Sequence, residues 1–151
     1  MYRKFPILVV EDSDEDFYTT ARVLRKFVAS PVERCSAGTD VLPHLARKAA
    51  EATRVTPDPC LILLDLNMPG KRDGRSVLVD LKNDKRYRRI PVVIMTTSSH
   101  PSDVHHCFDH GAAGYIVKPV NLDKFVESIE CLVNYWFKTV RLPVKLEEDG
   151  V

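Results

Sequence analysis

Short apolar runs and amphipathic stretches alternate along this chain from one end to the other. FPILVV (5–10), CLILLD (60–65), PVVIMT (91–96) and GYIV (114–117) have the length and composition of buried strands, and VERCS (32–36) is a weaker fifth. After the first run, Phe17, Ala21, Leu24 and Val28 recur at spacings of four, three and four, the period of a helix beginning at Ser13. Asp14, Glu15 and Asp16 suit its first turn, where they meet the positive end of the helix dipole, and Pro31 closes the unit. Further helices are expected from about Thr39 to Thr53, from Ser76 to Asp84, after Pro101, and from about Asn121 to Val140. Pro57 and Pro59 mark one loop, and the turn formers of NMPGKRDG mark another. Five strands alternating with five helices imply an α/β domain with an all-parallel sheet covered on both faces.

Composition narrows the function classes. At 151 residues the chain is the size of one domain and needs no disulfide staples. With 22 basic against 21 acidic residues and a net charge of +1, it carries no electrostatic pull toward nucleic acid or an anionic membrane. Cys35, Cys60, Cys107 and Cys131 form no metal-ligand or disulfide pattern, so reduced thiols in a cytoplasm are expected. The apolar start MYRKFPILVV breaks at EDSDED, too early for a signal peptide, and no run reaches membrane-spanning length. The tail after Leu142, ending KLEEDGV, reads as loosely ordered.

Candidate chemistry lies where the strands stop. Glu11 and Asp12 follow FPILVV, Asp65 ends CLILLD, Thr96 ends PVVIMT, and Lys118 follows GYIV. In an open parallel sheet, ligands bind outside the carboxyl ends of the strands, so these groups would share one crevice. Three carboxylates brought together are costly unless a cation neutralises them, and Mg²⁺ favours such oxygen donors together with a phosphate group. A carboxylate can attack phosphorus to give an aspartyl phosphate, with an amine and a hydroxyl on the phosphoryl oxygens.

VVEDS (9–13), LLDLNMPG (63–70), VIMTTS (93–98) and GYIVKP (114–119) resemble, in order and spacing, the receiver domain of two-component response regulators. The resemblance covers roughly residues 5–138 and implies a flavodoxin-like doubly wound sheet of order 2-1-3-4-5, with a receiver domain over 1–140 and a tail over 141–151. It implies Asp65 as phosphoacceptor, and Mg²⁺ held by Asp12, Asp65 and the Asn67 backbone carbonyl, with Glu11 acting through water. It implies Thr96 and Tyr115 as a switch pair, although Tyr115 alone would read as a half-buried strand aromatic. It also implies a cis Lys118–Pro119 peptide bond that positions the lysine. Two departures stand out: GKRD makes the loop between Pro69 and Gly74 one residue longer than usual, and Thr97 stands where many members have alanine.

NYWFKTVRLP (134–143), with the PGK and TTSS segments, is similar to the regulators paired with phytochrome histidine kinases. The expected function is a stand-alone response regulator, phosphorylated by such a sensor kinase and signalling through protein contacts, with no turnover beyond its own phosphorylation and dephosphorylation. A rival is a phosphohydrolase of haloacid dehalogenase type, but that chemistry wants a second carboxylate where this chain has Asn67. A flavodoxin-type flavin module is opposed by EDSDED, which would repel a phosphate. Cluster spacing of His106 and His110 suggests a metal pair, yet no third ligand accompanies them, and a solvated helix face is expected.

Association is expected from the last helix. About 20 residues of helix run roughly 30 Å, whereas a strand of five or six spans only about 17–20 Å. Trp136, Phe137 and Leu142 are therefore expected to project beyond their own core, and a homodimer through the C-terminal helix and tail would cover them. The competing expectation is a tail folded back onto its own domain.

Overall fold

The computed structural model describes residues 5–51, 59–70 and 72–143. The apolar runs form β1 (Ile7–Val10), β2 (Val32–Cys35), β3 (Leu61–Leu64), β4 (Val92–Thr96) and β5 (Gly114–Val117). They make one five-stranded sheet, all pairs parallel, in the order β2-β1-β3-β4-β5. Five α-helices connect and cover them: α1 (Asp14–Phe27), α2 (Val41–Glu51), α3 (Gly74–Asn83), α4 (Pro101–Asp109) and α5 (Leu122–Val133). The fold is the doubly wound, flavodoxin-like arrangement expected from the sequence.

Strand side chains alternate between two cores. Leu8, Val10, Ile62, Leu64, Val92 and Ile94 pack with Val41, Leu45, Val77, Leu78, Leu81 and Cys107 from α2, α3 and α4. Ile7, Val9, Leu61, Leu63, Val93 and Met95 pack on the opposite face with Phe17, Ala21 and Leu24 of α1 and Phe125, Ile129 and Leu132 of α5. Each such side chain gains about 1.5–3 kcal/mol on burial, and this double burial is why the strands read as continuous apolar runs.

Helix starts follow local capping chemistry. Ser13 caps α1 by accepting from the Asp16 N–H, and Asn121 caps α5 by accepting from the Lys124 N–H. Asp73 caps α3 by accepting from the Arg75 and Ser76 N–H groups, so this helix starts two residues before the expected Ser76. Before α2 lies a 3₁₀ turn, Gly38–Asp40; the expected helix end at Thr53, the loop proline Pro57 and the tail 144–151 fall outside the described residues.

Two glycines bracket the longer loop, whose Lys71 lies outside the described residues. Gly70 takes φ 95°, and Gly74 packs so closely on the end of β3 that a Cβ there would lie 2.1 Å from the Asp65 carbonyl oxygen. The Gly74 N–H also donates to the Leu66 carbonyl at 3.1 Å. Helix α3 is thereby docked at the end of β3, beside Asp65 and Leu66.

The last helix departs from expectation. After Val133 the chain continues as a π-helical segment, Asn134–Thr139, instead of an α-helix to Val140. Its wider turn re-aims the side chains that an α-helical period would have carried past the core. Trp136 and Phe137 are half-buried against the α1/α5 core, and Leu142 is only 5% exposed within it. These three residues do not project, which removes the premise for their role in a dimer; the rest of the tail, 144–151, lies outside the described residues.

Candidate functional site

Register brings the polar strand ends together. Val10 pairs with both Cys35 and Leu64, Leu64 with Ile94, and Thr96 with Val117, so the residues that follow emerge at one edge of the sheet. The ladders extend one residue further: Glu11 N–H donates to the Cys35 carbonyl at 3.0 Å, Asp65 N–H to Val10 at 3.1 Å and Lys118 N–H to Thr96 at 2.7 Å. Side chains at these positions thus hang on backbone that the sheet already fixes.

Glu11, Asp12 and Asp65 each offer a carboxylate oxygen, all within 4.8 Å of one another. Asp65 is 8% exposed, Glu11 is buried and Asp12 is open to solvent. Lys118 Nζ reaches into this group, 2.5 Å from Glu11 Oε1 and 3.5 Å from Asp65 Oδ2, with Asp16 Oδ2 at 3.7 Å. Burial is the main cause that pushes the Glu11 carboxyl up to about 7; the Asp65 charge adds to it and Lys118 opposes it. For Lys118 burial works to lower the ammonium, but the hydrogen bond to Glu11 and the surrounding carboxylates outweigh it and hold the amine above its ordinary value. A set of hard oxygen donors, two of them shielded from water, fits a divalent cation such as Mg²⁺ or Mn²⁺ and fits a thiophilic metal poorly.

Thr96 is fully buried, and its hydroxyl oxygen accepts from the Asn67 side-chain amide at 3.3 Å and from the Ser98 N–H at 3.4 Å. Asn67 N–H in turn donates to Asp65 Oδ1 at 3.1 Å. The Tyr115 hydroxyl donates to the Ser98 carbonyl at 2.8 Å, so Thr96 and Tyr115 are both tied to the segment between β4 and α4. From there Ser98 Oγ donates to Asp103 at 2.6 Å, and Asp103 pairs with Arg75 of α3 at 2.7 Å. Those two partners, Ser98 first, hold the Asp103 carboxyl below its ordinary value.

All the residues expected to share a crevice do so, with one conformational correction. The described chain has no cis peptide bond, so Lys118–Pro119 is trans. Trans is the intrinsically favoured isomer by about 0.5–1 kcal/mol, and Lys118 reaches both carboxylates without the cis form. Of the histidines, His100 caps α4 by accepting from the Ser102 N–H, and His105 and His110 are exposed. His106 is half-buried, its ring 4.4 Å from that of His110. Among the described residues, the groups of three or more potential metal ligands reduce to the acidic cluster.

The sequence reading missed Arg34 and the Ser98–Asp103–Arg75 chain. Ser98 and Asp103 are close in sequence at a helix start, a usable signal. Arg34 offered only a basic residue in a strand, with nothing linking it to a loop 22 residues away.

The receiver domain of response regulators matches residues 7–130 of this chain, and the protein belongs to that family. Among its relatives, the response regulator Rcp1 of Synechocystis sp. is 34% identical over 138 residues, covering 91% of this chain and 92% of that protein. The crystal structure of the phosphorylated cyanobacterial phytochrome response regulator RcpA superposes with a TM-score of 0.82 at 34% identity, covering 92% of this chain and 98% of the other. The Mn²⁺-bound form of Rcp1 superposes with a TM-score of 0.80 at 34% identity, over 92% and 99% of the two chains.

Proposed function

We propose that this protein accepts a phosphoryl group from a sensor histidine kinase on Asp65, with Mg²⁺ as its cation, and signals through protein contacts. The observation that carries the reading is a shielded aspartate at the end of β3 with two further carboxylates within 4.8 Å and an amine at 3.5 Å. A carboxylate oxygen of Asp65 attacks the phosphorus of a phosphohistidine; the P–O bond forms as the P–N bond breaks, and the imidazole keeps the electron pair and takes up a proton. Asp12, Asp65 and the Asn67 carbonyl, with Glu11 through water, would hold the cation, which would supply charge neutralisation for the transferring group. Lys118 exchanges its contact with Asp65 for a phosphoryl oxygen. Thr96 releases the Asn67 amide and donates its hydroxyl proton to another.

Ser98 links that movement of Thr96 to Tyr115 and to α4, which gives the switch pair its route to the surface. Hydrolysis of the acyl phosphate by the domain itself resets the state. A phosphohydrolase of haloacid dehalogenase type is set aside: the chain belongs to another family, and Asn67 stands where the second carboxylate is needed.

A phytochrome kinase as donor and a cytoplasmic location complete the reading. They are supported by the similarity to RcpA and Rcp1 and by the lack, among the described residues, of any helix long and apolar enough to cross a membrane. Pairing of two copies through the last helix and tail keeps narrower support: Tyr135, 51% exposed, is the large apolar side chain left uncovered in the π segment. The test of function is phosphotransfer from an ATP-charged phytochrome kinase. Transfer in Mg²⁺ that stops in excess EDTA is the expected result; full transfer in EDTA, or steady turnover of para-nitrophenyl phosphate, contradicts it.

A further inference from the structure

Arg34 grips the acidic loop from below. It lies on β2 in register with Val9 of β1, and its side chain rises on the α1 face of the sheet. Its Nε donates to the Glu11 carbonyl at 3.1 Å and its Nη2 to the Asp12 carbonyl at 3.2 Å. Nη1 pairs with Asp14 Oδ1 at 2.8 Å, and the guanidinium sits 4.8 Å from the centre of the Phe17 ring. With only 20% of the side chain exposed, the fork is held between strand, loop and helix.

Glu11 and Asp12 are consecutive, yet their carboxylates must converge with Asp65 on one point. Where each side chain points depends on the two peptide planes whose carbonyls Arg34 holds. A rigid guanidinium fork can fix two carbonyls at once; a lysine ammonium is a point charge on a flexible stem. We infer that Arg34 is a positioning residue for the cation site, fixing the direction of the Glu11 and Asp12 carboxylates through their backbone carbonyls. The inference rests on reading the crevice as a divalent-cation site.

Charge and positioning make opposite demands, which makes the role testable. A positive charge near the site repels an incoming cation, so deleting the charge alone would tighten metal binding. Losing the fork would loosen it. Arg34→Met removes both, and Arg34→Lys removes the fork while keeping the charge.

The experiment is titration of the full chain with Mn²⁺, followed by electron paramagnetic resonance of the free ion, for the parent and both variants. Partners standing behind metal ligands typically change affinity by about 10–100-fold. Both variants are expected to bind Mn²⁺ at least about tenfold more weakly, with phosphorylation by acetyl phosphate recovering as metal is raised to saturation. Arg34→Lys binding like the parent, or Arg34→Met binding as tightly or more tightly, overturns the role. Thermal melts without metal provide the control, because a merely structural residue lowers the melting temperature without moving the Mn²⁺ affinity. If Arg34→Met does not fold, Arg34→Lys decides alone. A parent that binds no Mn²⁺ overturns the cation reading together with this one; a parent that binds and variants that match it overturn the Arg34 role alone.

Discussion

Lys118 carries the charge balance of the crevice, and its neighbours tell what its loss will do. Its amine is the cation closest to Glu11, at 2.5 Å, and it lies 3.5 Å from Asp65, so in Lys118→Met those carboxylates face each other without it. The variant should therefore bind a divalent cation at least as well as the parent. Phosphorylation by acetyl phosphate should nevertheless slow on the order of 100-fold, the usual cost of one lost donor to a developing charge. A parental rate at saturating Mg²⁺ would make Lys118 a bystander. The cysteines give a second check on burial. Burial above all pushes the Cys35 and Cys60 thiols up to about 12 and Cys107 up to about 11, while Cys131 lies exposed. A raised thiol stays protonated until the pH approaches that value, so at pH 8 a thiol reagent should label one cysteine quickly in the native protein and all four after denaturation. Four fast thiols in the native state would contradict the packing. Glu11, Asp12, Asp65, Thr96 and Lys118 were legible in the sequence because a polar residue ending an apolar strand is conspicuous. Arg34 was not, because it holds Glu11 and Asp12 by their backbone carbonyls, which no side-chain pattern announces.

At the scale of elements, the start of α3 makes one close backbone approach to the end of β3. A Cβ at position 74 would sit 2.1 Å from the Asp65 carbonyl oxygen and 2.7 Å from Leu66 Cα, both backbone atoms that cannot swing aside. Alanine is favoured over glycine inside a helix by about 1 kcal/mol, but forcing a methyl group against packed backbone costs about 1–3 kcal/mol or more. The clash wins. Gly74→Ala should lower the urea midpoint and shift α3 away from the end of β3, which also displaces Asp65 and slows its phosphorylation. An unchanged midpoint would mean that this contact does not constrain the helix. The strands were readable to within a residue at each end except at the start of β1, which begins at Ile7 where Phe5 was expected; burial on both faces leaves β1, β3 and β4 as continuous apolar runs. The π segment Asn134–Thr139 was not, because a local change from i+4 to i+5 bonding leaves the same residues in the same order and shows only in which way they point. An α-helix continued to Val140 would have outrun the sheet and carried Trp136 with it, whereas the structure packs it against its own core.

For the whole molecule, the parallel sheet and the position of the crevice were legible together, because alternating strands and helices imply a parallel sheet and a parallel sheet places its ligand outside the strand ends; the strand order came only with the resemblance to receiver domains. Association rests on less than the sequence promised, since Leu142 is buried within the domain and Trp136 and Phe137 are half-buried, which leaves Tyr135 exposed in the π segment. Pairing through the last helix still predicts a two-chain mass by light scattering at tens of micromolar, reduced to one chain when residues 134–151 are deleted. A one-chain mass for the full protein would remove the pairing and leave the phosphoryl chemistry untouched. That chemistry is tested most directly by intact-mass spectrometry after incubation with acetyl phosphate and Mg²⁺, comparing the parent with Asp65→Asn. The amide preserves the shape at the end of β3 and removes the nucleophile. The expected result is one phosphoryl group on the parent and none on the variant, with matching thermal melts for the two proteins. The same adduct on Asp65→Asn would show that the phosphoryl group is carried elsewhere and would contradict the assignment of the crevice.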